Sequence, residues 1–240
     1  MTLAVQVTGV HKSFGDRRVL QGVDFVINPQ AVFALVGPSG TGKTPLLRIV
    51  AGLDRADEGV VRIGGVDVAS DGGPRRDVGL VMQRPAVFHR TVFENVAYGL
   101  RLLGEDEGEI EGKVSAALAQ VGLADSAGAK AWTVSAGEAQ RVCFARAAVL
   151  RPNLLLLDEF TANLDPANVG LLERAVKAYH EETGATVLIV THNLFQAKRV
   201  AHRAGLLLSG RIVEAADVDT FFTSPGDERT RAFVRGEMPY

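Results

Sequence analysis

The sequence predicts an α/β fold: a mostly parallel sheet flanked by helices, with an N-terminal antiparallel β portion and an inserted run of helices. Three observations carry this reading. An apolar, β-rich block, AVFALV at 31–36, leads into GPSGTGKT at 37–44, and LLRIVAG at 46–52 continues with helical spacing until a glycine stops it. A second α/β half opens with LLLLDE at 154–159 and predicts strand 154–158, helix 167–182, strand 186–190, helix 194–201 and strands near 204–208 and 211–214. Between them, residues 91–150 change to a helical period, with Val92, Phe93, Val96, Leu100 and Leu103 in one stripe and Val114, Leu118 and Val121 in another.

In chain order, residues 3–7 and 19–27 read as strands, the second with clear alternation. His11 to Asp16 between them reads as a turn-like stretch whose aromatic, Phe14, is either core or a ring offered to a base. A strand near 60–63, a glycine-rich turn and a strand near 78–82 ending at Gln83 follow. The stretch 104–109, GEDEGE, reads as a solvated acidic corner. No repeat or linker divides the chain, so one domain is expected over 1–240, with an α/β core at 1–90 and 151–240 and a helical subdomain at 91–150.

Composition narrows the classes. The chain has 240 residues, 47% of them hydrophobic, enough for a substantial core and too many for disorder. A net charge of -2 gives no bulk attraction to nucleic acid, and none is expected as a partner. Cys143 is the single cysteine, which excludes an internal disulfide and a multi-cysteine metal site and fits a reducing compartment. The opening residues lack a signal-peptide pattern, and the apolar runs at 154–157 and 187–190 are too short to cross a bilayer. A soluble chain is expected, with any membrane role supplied by a partner.

Gly37, Gly42, Lys43 and Thr44 fill every fixed position of G-x-x-x-x-G-K-[S/T] in the strand–loop–helix setting the pattern requires. Glycines let Gly37, Pro38, Ser39, Gly40, Thr41 and Gly42 fold back so that backbone N–H groups face phosphate oxygens, and the helix N-terminus adds its dipole. Lys43 would reach the β- and γ-phosphates, and the Thr44 hydroxyl would ligate Mg²⁺. The strand ending in Asp158 and Glu159 supplies the other half: Asp158 to support Mg²⁺, Glu159 to polarise an attacking water.

With these motifs the chain resembles the ATPase subunits of ABC transporters over essentially its whole length. The most specific stretch is VSAGEAQR at 134–141, similar to the family's LSGGQ signature and placed just before the strand ending in Asp158. Ser135 also fits an N-cap with Glu138 three residues on. The resemblance implies ATP and Mg²⁺ as ligands and a second copy of the chain as partner, with Ser135 and Gly137 of one subunit touching the γ-phosphate held by the other. It implies Gln83 as the glutamine that senses Mg²⁺ and water, Asp165 near the dimer seam, His192 holding the γ-phosphate and Phe14 stacking on adenine. Membrane permeases, gripped through residues 84–90, and indirectly an extracytoplasmic binding protein complete the implied machine at the cytoplasmic face of the membrane.

Residues 83–100, THNLFQA at 191–197 and the tail at 229–240 look most like ATPases of oxyanion importers, of the tungstate, molybdate or phosphate kind. Alternatives are an ATPase of a cytosolic iron–sulfur assembly system and a weakly hydrolysing ATP-binding module. The second is motivated by departures from the family pattern: Pro45 in place of a hydroxyl residue and Ala136 in place of a glycine, with Ala139 and Phe160 also unusual. Pro45 offers the α-phosphate neither N–H nor hydroxyl.

Overall fold

The computed structural model describes residues 3–70 and 75–238. Two sheets form it. An antiparallel sheet of order β2-β1-β4-β5 is built from β1 (Val5–Phe14), β2 (Arg17–Ile27), β4 (Glu58–Ile63) and β5 (Val66–Asp67). A six-stranded sheet of order β10-β9-β3-β8-β7-β6 contains β3 (Val32–Val36), β6 (Val78–Val81), β7 (Leu154–Asp158), β8 (Thr186–Thr191), β9 (Arg203–Leu208) and β10 (Arg211–Asp217). All its pairings are parallel except β9 with β10.

The central strands β3, β7 and β8 are buried from end to end, as continuous apolar runs in a doubly covered sheet should be. Their alternating side chains serve two separate cores. Val32, Ala34, Val36, Leu155, Leu157, Val187 and Ile189 face one side, whereas Phe33, Leu35, Leu154, Leu156, Leu188 and Val190 face the other. The second core is closed by the antiparallel sheet and by α1 (Lys43–Val50). The first is closed by α2 (Val92–Leu102), α3 (Glu107–Gln120), α4 (Ala136–Ala148), α5 (Pro166–Thr183) and α6 (Leu194–Val200), so the helices at 91–150 share one apolar cluster with the sheet.

Several elements depart from the sequence reading. His11 to Phe14 are not a turn but the end of β1, and the turn is only Gly15–Asp16, with Gly15 at φ 59. Phe14 is 53% exposed, so its core reading does not hold. Leu103 lies beyond α2 and is 49% exposed rather than in the buried stripe. The acidic corner is shorter than expected, because Asp106 caps α3 by accepting from Gly108 N, and the helix begins at Glu107. The glycine-rich turn holds β5, and part of it falls at 71–74, outside the described residues, as do Pro239 and Tyr240 of the tail. Two short helices, α7 (Val218–Thr223) and α8 (Glu228–Val234), follow β10 and were not anticipated; Phe221 and Phe233 anchor them in the core.

Asn95 organises the entry to α2. It is fully buried; its amide donates to the carbonyls of Phe88 (3.1 Å) and Thr91 (2.8 Å), and its oxygen accepts from Phe88 N (2.7 Å). The loop after Gln83 is thus tied to the helix by a buried polar group. Asn95→Ala leaves Phe88 N unpaired, while the Phe88 and Thr91 carbonyls keep Arg90 N and the residue-95 N–H, and is expected to cost about 1–3 kcal/mol of stability, read as a lower urea midpoint with an unchanged slope.

Candidate functional site

The loop between β3 and α1 takes its shape from steric limits. Gly42 is the N-cap of α1 at φ 103, and a Cβ there would lie 2.7 Å from Leu20 Cδ2 and 3.0 Å from Val19 Cγ1. Gly40 has φ 77. Lys43, only 4% exposed, donates from Nζ to the carbonyls of Gly37 (2.8 Å) and Pro38 (2.7 Å), folding its chain along the loop. Burial lowers the Lys43 pKa, while the carboxylates of Glu159 and Asp158 oppose that shift.

Pro45 is the third residue of α1, and Leu46 N to Gly42 O (3.0 Å) continues the helical ladder from there. A first-turn N–H has no intrahelical acceptor, so the proline leaves the helix intact and removes only a donor that would have faced outward.

Asp158 ends β7 at 1% exposure, and Thr44 Oγ1 donates to its Oδ1 at 3.0 Å. Burial pushes the Asp158 carboxyl up; the Thr44 hydrogen bond and Lys43 pull it back, and Glu159 adds to the rise. Glu159 follows at φ 41, a left-handed conformation rare outside glycine, held by its N–H to Val190 O at 2.8 Å. That twist turns its side chain inward. Its Oε2 meets His192 Nδ1 at 3.1 Å and Gln83 Nε2 at 3.4 Å, and Oε1 lies 3.9 Å from Lys43 Nζ.

These groups come from the carboxyl ends of four adjacent strands: Lys43 after β3, His192 after β8, Glu159 after β7 and Gln83 after β6. That edge is where open parallel sheets bind ligands. A cleft of about 230 Å³ opens there, lined by Ser39, Gly40, Gly42, Lys43, Thr44, Pro45, Gln83 and Glu159. Gly37 is buried beneath the loop and Thr41 Oγ1 donates to Pro38 O at 2.9 Å, bracing the turn from inside.

Ser135, Gly137 and Asp165 gather elsewhere. Ser135 and Glu138 form a complete capping box at the start of α4. A Cβ on Gly137 would fall 2.6 Å from the Asn168 side-chain amide, and that amide donates to Asp165, which itself caps α5 by accepting from Ala167 N and Asn168 N at 3.0 Å each. Among the described residues, no hydrogen bond or ion pair joins this group to Lys43, Asp158 or Glu159 of the same chain. Phe14 also stands outside the cleft lining, at the β1–β2 hairpin tip with Lys12 Nζ 5.6 Å from its ring centroid.

Sequence reasoning missed the residues that secure the segment after Gln83. Buried Gln140 donates to Met82 O (2.9 Å); Arg146 donates to Ala86 O (2.8 Å), and its guanidinium carbon lies 4.9 Å from the Phe88 ring centroid. Polar residues inside the otherwise apolar face of α4 were the available signal.

A phosphate loop on a strand–helix turn, with a carboxylate pair at the end of the strand two places along the sheet, defines a P-loop nucleotide-binding core. Residues 20–162 match the ABC transporter family. A probable anion import ATP-binding protein of Haloferax volcanii is 42% identical, covering 95% of this chain and 85% of that one. A phosphate import ATP-binding protein of Natronomonas pharaonis is 39% identical (98% and 87% covered), and the ATP-binding protein of a tungstate uptake system in Peptoclostridium acidaminophilum is 37% identical (92% and 100%). The fold matches cbiO1 of Clostridium perfringens, part of the ABC transporter complex cbiONQ, with a TM-score of 0.82 at 24% identity, covering 92% of this chain and 90% of that one. The chain belongs to the ABC transporter family and is an ATP-binding ATPase of that family, as its motifs and mixed α/β architecture implied.

Gly42→Ala combines a disfavoured φ with contact against Leu20 and Val19, and is expected to cost about 1–3 kcal/mol of stability. Chemical denaturation and an ATP-binding titration of the refolded variant should fall together.

Proposed function

We propose that this chain is the ATP-hydrolysing subunit that energises import of an inorganic oxyanion, with tungstate the favoured solute, through separate membrane permeases. The observation that carries the reading is the division of the site: Lys43, Gln83, Glu159 and His192 converge on the phosphate loop, while Ser135, Gly137 and Asp165 are presented at another rim with no loop to serve in their own chain. Two copies arranged head to tail supply each loop with the other's Ser135 and Gly137, which is the ATP sandwich that the family resemblance implies. In this arrangement residues 91–150 act as the signature-bearing subdomain of a single domain spanning 1–240.

The donors present suit Mg²⁺. A hydroxyl and a carboxylate, Thr44 and Asp158, meet at 3.0 Å with a Gln83 amide on the same cleft, and hard oxygen ligands of this kind take one or two places around Mg²⁺ while phosphates and water take the rest. Among the described residues no cluster of three or more His, Cys, Asp or Glu could cage a metal alone, consistent with a cation that arrives with the nucleotide. Thr44, Asp158 and Gln83 would hold the ion, which when bound neutralises charge on the terminal phosphates.

Lys43 is positioned to turn its ammonium from the loop carbonyls to phosphate oxygens. Glu159 accepts the proton of the attacking water, its carboxylate aimed by His192 and Gln83. His192, held at Nδ1, keeps its other ring nitrogen for the terminal phosphate. Phe14 is assigned to the base, whose flat face suits an exposed ring at the β1–β2 hairpin tip.

No helix among the described residues is long and apolar enough to cross a membrane. Transport therefore calls for partner subunits, with the chain at the cytoplasmic face and an extracytoplasmic binding protein delivering solute. The Arg84 to Arg90 segment, with Phe88 40% exposed, offers the permease an aromatic and basic grip. The oxyanion assignment rests on the relatives named for anion, phosphate and tungstate import, which do not favour a cytosolic assembly role.

Glu159→Gln removes the proton acceptor but keeps the hydrogen-bonding shape. Mg²⁺-ATP turnover in the permease complex is expected to drop by about 100-fold or more while ATP still binds; unchanged turnover would dismiss Glu159 as the base. A gene-deleted strain should lose high-affinity tungstate uptake, measured beside molybdate and phosphate. Loss of phosphate uptake alone would reassign the solute, and normal uptake of all three would overturn the oxyanion reading.

A further inference from the structure

Arg17 stands at the phosphate loop without any role in the site described above. It begins β2 directly across the hairpin from Phe14, and its Nη2 comes within 4.0 Å of where a Cβ on Gly40 would stand. Two residues further along β2, at an irregularity in its pairing with β1, Val19 Cγ1 lies 3.0 Å from the corresponding point on Gly42. The start of β2 therefore walls the loop, with an apolar contact at Gly42 and a guanidinium near Gly40.

The charge there is uncommitted. Lys12, the neighbouring cation, is paired with Asp57 at 2.9 Å and lies 5.6 Å from the Phe14 ring centroid. Arg17 is exposed and has no ion-pair partner among the described residues. Pro45 lines the cleft together with Gly40, the glycine that Arg17 approaches, and has neither N–H nor hydroxyl to give. The α1 side thus keeps Lys43 and Thr44 but lacks the donors a hydroxyl residue at 45 would give, and the β2 side carries an extra five-donor cation.

We propose that Arg17 is a nucleotide-binding residue of this chain, its guanidinium donating to phosphate oxygens of ATP and replacing the donors that Pro45 removes. The inference rests on ATP occupying the Lys43 loop. Guanidinium–phosphate contacts are charge-assisted and bidentate, about twice as strong as neutral hydrogen bonds, so one arginine is enough to offset a missing amide and hydroxyl.

The test is a double-mutant cycle on the full chain, with ATP, ADP and adenosine binding measured by calorimetry for Arg17→Gln, Pro45→Ser and the pair. Arg17→Gln is expected to weaken ATP and ADP about ten-fold or more, leave adenosine and the ligand-free melting temperature unchanged, and lose most of its effect in the Pro45→Ser background. Arg17→Lys should recover part of the affinity. Equal losses in both backgrounds would overturn the replacement of Pro45's donors, and no loss in either would remove Arg17 from the site. An unsubstituted chain that binds ATP no better than its Lys43→Ala variant would instead sink the occupancy of the loop itself, and this inference with it.

Discussion

One constraint governs the architecture: a lysine at 4% exposure and an aspartate at 1% are held beside a glutamate at the edge of a buried sheet. Ions so far from water persist only when their charges and hydrogen-bonding atoms are matched. Lys43 finds two loop carbonyls and Glu159; Asp158 finds Thr44; Glu159 finds His192 and Gln83. Each partner stands at the end of a different strand or on α1, so the register of β3, β8, β7 and β6 is fixed as much by this polar edge as by the apolar faces beneath it. The wholly buried strands leave no slack for a one-residue slip, which would send every side chain to the opposite core.

Much of this was legible in the sequence because it is local. The β3 block, the loop and the start of α1 lie within 20 residues, and uninterrupted apolar runs place β7 and β8 to within a residue. What failed to show has physical causes. The end of β1 read as a turn because its ladder is irregular: register shifts fall between Val7 and Val10, between Val10 and His11 and between Lys12 and Ser13, erasing the two-residue alternation. The helices α7 and α8, of six and seven residues, are too short to signal themselves and owe their form to buried Phe221 and Phe233.

In the site, Lys43, Thr44, Asp158 and Glu159 could be named from chemistry and spacing, whereas Gln83 and His192 became visible only through resemblance to a family. Glu159 lies 76 residues from Gln83 and 33 from His192 along the chain, so only the sheet order makes them neighbours. The placement of Asn168 against Gly137 has no sequence signature at all. It gives any side chain at Gly137 a steric cost even without a nucleotide: the Asn168 side-chain amide occupies the space a Cβ would claim and would have to move.

The capping box at Ser135 has a consequence for energetics. Its hydroxyl both accepts from Glu138 N and donates to Glu138 Oε2 at 2.7 Å, so its one proton is already spent within its own helix. Any anion that approaches must compete with a carboxylate for that proton, and the carboxylate must then move or find another donor. Glu138 therefore keeps the N-terminus of α4 electrostatically satisfied from within its own helix. In the two-copy arrangement proposed above, docking of this surface on a nucleotide-loaded loop would exchange one anion for another, with selectivity set by the difference between them.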